Sequence, residues 1–181
     1  VQQGYLNAVP GRSLDYAFIA HKIREINEDT PIMILAFDRW RIDDLIRALD
    51  DAGVECYLAK VQVDDEDGTE KIVPNDPKQY ANGIAMLGFG QGFRDMGPAV
   101  DDMEADLVDQ KIAIAHNPVT TMCAANSVIV QDPAGGRKLS KQKATGRIDG
   151  MVSLLMANRI ARYLNGMETG SVYDTQDILV I

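Results

Sequence analysis

The sequence predicts an α/β protein, and three observations carry the prediction. A short, continuous apolar run, "IMILAF" at residues 32–37, has the length and composition of a strand buried on both sides. On either side of it the apolar residues change to helical spacing. Tyr16, Ile19, Ile23 and Ile26 share one face of a helix over residues 14–27, and Ile42, Leu45, Ile46 and Leu49 repeat at i, i+3, i+4, i+7 in a second helix ended by Gly53. A further strand is expected at residues 54–61. Helix, strand, helix, strand is the element order of an α/β sheet.

The middle of the chain is less regular. Residues 62–90 combine the acidic turn "DDEDGTE", two prolines and scattered glycines, and read as a long loop or hairpin excursion from the sheet. Met96, Val100, Met103 and Leu107 then mark an amphipathic helix, and "KIAIAH" at 111–116 alternates as a strand does. "NPVTTMCAAN" is expected as a short helix, "SVIVQD" as a strand, and "PAGG" as the turn after it. A strongly apolar helix is expected over residues 149–164, with Gly166 beyond its end. The terminal "DILVI" either docks on the body or serves a partner contact.

Composition narrows the function. With 181 residues, 46% hydrophobic and 25% charged, the chain suits one soluble globular domain. Cys56 and Cys123 lack the spacing of a disulfide framework or a zinc site, which favours a reducing cytosol. No apolar window is long enough to span a membrane. The first residues start in mid-pattern at Val1, so the chain is expected to be a piece of something longer. A net charge of −9 argues against a general nucleic-acid binder. However, Arg137, Lys138, Lys141, Lys143 and Arg147 form one basic segment without an acid among them.

Nucleotide and hydrolase signatures are missing. There is no GxxxxGK[ST] and no GxSxG, "GFGQGF" lacks the strand-to-helix context of a dinucleotide fingerprint, and two histidines make a poor metal cage. Carboxylates remain. Asp38 stands at the carboxyl end of a strand, where open α/β sheets place ligands, and Asp149 opens the apolar C-terminal helix directly after the basic segment. Hard divalent ions take such oxygen ligands. Two structural alternatives stand beside this: Asp38 as the cap of the next helix, and Asp149 as a first-turn acid favoured by the helix dipole.

Several short motifs occur together and in order: Phe37-Asp38-Arg39-Trp40, Gln91-Gly92-Phe93, His116-Asn117-Pro118-Val119, Asn126, Pro133-Ala134-Gly135, Lys138, Lys141 and Lys143, then Ile148-Asp149-Gly150. On these the chain resembles the C-terminal nuclease domain of the large terminase subunit of tailed bacteriophages, across residues 6–161.

The resemblance implies a ribonuclease H-like fold, a mixed sheet flanked by helices, lacking its first strands in this chain. It also implies two-metal-ion endonucleolytic cleavage of concatemeric DNA with Mg2+ or Mn2+, and three catalytic acids. Asp38 and Asp149 match the second and third of these; the first would lie on a strand before residue 1, behind an ATPase motor domain. Lys138, Lys141, Lys143 and Arg147 would contact double-stranded DNA. The implied partners are the terminase small subunit, the portal protein and the chain's own ATPase domain, in the cytoplasm of a bacterial host and away from any membrane. Without the first strand, residues 32–37 are expected to lack a hydrogen-bonding neighbour. Residues 62–90 depart from the family pattern as a long acidic insertion, suited to a contact with the motor domain, portal or another subunit. A junction-resolvase type of nuclease and a non-enzymatic docking module are the rival readings.

Overall fold

The computed structural model describes residues 4–9, 15–39, 42–66, 68, 70–78 and 81–165, and the expectations for Trp40, Gly166 and "DILVI" lie outside these. The chain divides into two compact units, residues 7–89 and residues 1–6 with 90–181.

The first unit is built on a four-stranded sheet in the order β1-β4-β2-β3. Helix α1 (Tyr16–Asp29) starts where the Asp15 side chain accepts a hydrogen bond from the Ala17 N–H. Strand β1 (Ile34–Asp38) and helix α2 (Ile42–Asp51) follow, with Asp43 and Asp44 in the first turn, where the helix dipole favours acids. Gly53 takes a φ of +72° and the Val54 N–H returns to the Leu49 carbonyl, which closes the helix as its glycine predicts. Strands β2 (Cys56–Val63) and β3 (Glu70–Pro74) form an antiparallel hairpin.

Strand β4 (Ile84–Phe89) then enters between β1 and β2, parallel to both. Ala20 and Ile23 of α1, Leu45 and Leu49 of α2, and Leu35, Phe37, Leu58, Ile84 and Met86 of the strands make one apolar cluster over the sheet.

Three expectations change here. Residues 62–90 are not only a loop or hairpin excursion: they contain the most buried strand of the sheet, with Ile84, Ala85, Met86 and Leu87 all buried. Among the described residues β1 lies at the edge of the sheet, and it is half-buried rather than buried on both sides. Nor does it lack a neighbour, because β4 pairs with all of it, from Ile34 opposite Ala85 to Asp38 opposite Phe89.

The second unit holds α3 (Phe93–Val108), α4 (Pro118–Asn126), the hairpin β5 (Ile129–Gln131) and β6 (Arg137–Leu139), and α5 (Asp149–Asn165). Its core is made by Met96, Ala99, Val100 and Met103 of α3 with Val152, Leu155, Met156 and Ile160 of α5. Acids on α3 meet bases on α5 along the same interface. Arg159 pairs with Asp102 at 3.0 Å, and Arg162 pairs with Asp102 at 3.4 Å and Asp106 at 2.7 Å. Asn158 donates to the buried Asp106 carboxylate at 2.9 Å.

The expected strand at 111–116 is absent. That segment has no regular structure, and Ile114 is exposed. Its alternation found no partner strand to satisfy its backbone groups.

Candidate functional site

Asp38 is the last residue of β1 and is exposed at the carboxyl end of two parallel strands, beside Phe89 of β4. It belongs to the strand, while α2 begins at Ile42, so the helix-cap alternative places it too early in the chain. Arg39 turns back across the sheet end and packs on Gly88, where a Cβ would lie 3.2 Å from its Cγ.

In the second unit, each quoted motif has a local physical cause. Gly92 caps α3 and Phe93 follows it, its ring lying under the Lys138 ammonium at 4.6 Å. Asn117 caps α4, its Oδ1 accepting from the Val119 N–H at 2.9 Å, with Pro118 at the first helical position, where its missing N–H costs nothing. Asp132 organises the hairpin turn by accepting from the Ala134 and Gly136 N–H groups at 3.0 and 2.7 Å, and Gly135 supplies a φ of +89°. In Ile148-Asp149-Gly150, Ile148 is buried as an anchor. Gly150 admits α4, since a Cβ there would lie 3.1 Å from the Cys123 Sγ.

Asp149 therefore opens α5 from a fixed base, with its own side chain exposed. Lys141 reaches it, Nζ to Oδ1 at 3.3 Å. Lys143 and Arg147 are exposed on the same loop between β6 and α5.

The basic segment is less free than its composition suggests. Lys138 is half-buried on Phe93. Arg137 is held by Asp101 and Glu104 of α3, and these carboxylates raise its affinity for its proton. Among the described residues the cations that face solvent on this loop are Lys141, Lys143 and Arg147.

Divalent ions would need oxygen donors, and both Asp38 and Asp149 offer exposed carboxylates of that kind. Among the described residues, no three acids, cysteines or histidines are gathered into one cluster that could hold a metal. The donor chemistry of each aspartate suits such an ion.

The profile of the family "Terminase large subunit, endonuclease domain" matches residues 71–164. The chain is 38% identical over 179 residues to "Terminase, large subunit" of Enterobacteria phage HK97, covering 99% of this chain and 29% of that protein. The solved structure "Crystal structure of the HK97 bacteriophage large terminase" matches with a TM-score of 0.65 and 39% identity, over 87% of this chain and 27% of that one. The chain belongs to the family of terminase large-subunit endonuclease domains, and it spans less than a third of the relative's length.

The expected mixed sheet flanked by helices is the observed fold. Among the described residues, no helix is long and apolar enough to cross a membrane. Sequence reasoning missed the contacts of Asn126, whose position in a motif was visible while its role was not.

Proposed function

We propose that this chain supplies the metal-dependent endonuclease of a phage DNA-packaging terminase, cutting concatemeric double-stranded DNA by phosphodiester hydrolysis. The observation that carries the reading is the exposed Asp149 at the start of α5, facing a cationic loop within the part of the chain that matches the endonuclease family.

Asp38 and Asp149 are the carboxylates this chain would offer to Mg2+ or Mn2+. When bound, such ions would supply Lewis acidity for phosphodiester hydrolysis. Lys141, Lys143 and Arg147 bind and orient the DNA backbone. Lys138, on its aromatic seat, lends charge from the hairpin side. These are phosphate contacts and carry no base information, so cutting is largely independent of sequence. The acidic body with one cationic loop confines DNA to that loop. An ATPase motor, a small subunit and a portal would act with this chain in the packaging machine of the host cytoplasm, and the 62–90 insertion, apart from its buried strand β4, would serve one of those contacts.

The test is cleavage of linear duplex DNA with Mn2+ by the full-length protein. Asp38→Asn should abolish cutting with the fold retained. Cutting at the wild-type rate would remove Asp38 from the site, and a preference for branched DNA would favour a resolvase.

A further inference from the structure

The loop that carries Lys141, Lys143 and Arg147 and delivers Asp149 is fastened mainly through one side chain outside it. Asn126 ends α4 and uses both ends of its amide on the loop. Its Oδ1 accepts from the Thr145 Oγ1 at 3.0 Å and its Nδ2 donates to the Arg147 carbonyl at 3.3 Å, while its own carbonyl accepts from the Thr145 N–H at 3.3 Å. Gly146 makes this approach possible, because a Cβ there would come within 2.6 Å of the Asn126 Nδ2. The start of the loop is tied to the chain before β5 and then turns on itself. The Ser140 N–H donates to the Val128 carbonyl, the Ala144 N–H to the Ser140 carbonyl, and the Lys143 N–H to the Ser140 hydroxyl.

We infer that Asn126 is a positioning residue for the proposed reaction: through Thr145 and Arg147 it fixes the cationic loop against α4 and so sets where Lys141 and Arg147 stand relative to Asp149. The inference rests on the proposed nuclease reading. Asn126 touches neither DNA nor metal; it acts through the two residues it holds. Asparagine suits the place because the contacts demand one acceptor and one donor on a short stem. Aspartate would turn a carboxylate on the Arg147 carbonyl, and alanine would leave both partners loose. The α4 end is itself firm, since the Ser127 hydroxyl donates to the Cys123 carbonyl at 2.8 Å and Cys123 is buried against Gly150 of α5.

The test uses the full-length protein with Asn126→Ala, Thr145→Val and Gly146→Ala, beside Thr145→Ser, which keeps the hydroxyl, and Asp149→Ala. Three readouts are taken: Mn2+ binding by titration, affinity for a linear duplex in EDTA by anisotropy, and cleavage as a function of Mn2+.

The three disruptive variants should each need about tenfold more Mn2+ for half-saturation, the scale seen when outer contacts of a metal ligand are removed. They should also bind duplex several-fold more weakly without metal, with melting temperature unchanged and Thr145→Ser close to wild type. If Asn126→Ala fails to fold, Thr145→Val decides, since it removes a single exposed hydroxyl. Wild-type Mn2+ and DNA titrations for Thr145→Val, with Asp149→Ala inactive, would overturn the inference and leave the nuclease reading standing. Wild-type cutting by Asp149→Ala would overturn the nuclease reading and the inference with it.

Discussion

Replacing Asp106 by alanine should loosen the α3–α5 pair by an amount the structure sets. Asp106 is buried and accepts from the Asn158 amide at 2.9 Å and from Arg162 at 2.7 Å. Alanine strands the buried Asn158 N–H group, which costs about 1–3 kcal/mol. Arg162 is partly exposed and keeps Asp102, so the loss of its charge pair adds only about 0.5–1 kcal/mol. The total of about 2–4 kcal/mol corresponds to roughly 30- to 1000-fold faster amide exchange in α3 and α5, read by mass spectrometry.

The pH dependence follows from the same contacts. The Asn158 hydrogen bond first, then Arg162, hold the Asp106 carboxyl below the usual carboxylate range. Its contribution is therefore fully present above the unfolded value, near 3.9, and is lost as pH falls through the lower folded value. Denaturation of wild type and Asp106→Asn should show a constant gap from pH 8 to 5 that closes below about pH 4. Unchanged exchange in α5 for Asp106→Ala, or a gap that widens in acid, would refute this account of the interface.

Met86 is fully buried on β4, so Met86→Ala should cost about 2–5 kcal/mol in denaturant titration, whereas Val63→Ala at the exposed end of β2 should change stability by less than about 0.5 kcal/mol. Gly83→Ala should prevent folding of the first unit, because φ is +79° and the new Cβ would sit 2.0 Å from the Glu55 carbonyl oxygen; circular dichroism reports the outcome. Lys143→Gln and Arg147→Gln should each reduce the slope of log K against log salt for duplex binding by about 1, equally for unrelated sequences. Lys138→Gln should change that slope less, because its ammonium is engaged by Phe93.

Helices α1, α2, α3 and α5 were legible because their apolar residues repeat at helical spacing. β4 was not. A run buried on both faces has no alternation to betray it, and here it sits between Gly83 and Gly90 behind an acidic turn that reads as loop. The segment at 111–116 misled in the opposite direction: it alternates, yet a strand exists only where a neighbour completes its hydrogen bonds.

As candidates, Asp38 and Asp149 stand out in the sequence because each ends or begins an apolar element. The state of the cations does not. Arg137 is neutralised by acids 36 and 33 residues earlier, and the bonds from Asn126 to the loop span 19 and 21 residues. Pairings over such distances depend on the fold and leave no local trace in composition.

The central claim is that Asp38 and Asp149 serve one metal-dependent reaction on DNA. The most direct measurement is the single-turnover rate of linear duplex cleavage by the full-length protein in Mn2+, for Asp38→Asn, Asp149→Asn and the double variant. The account predicts that each single variant loses nearly all activity and that the double variant is no worse than either, because residues acting as a unit are not additive. Cutting by either single variant at the wild-type rate, or losses that multiply in the double variant, would contradict it.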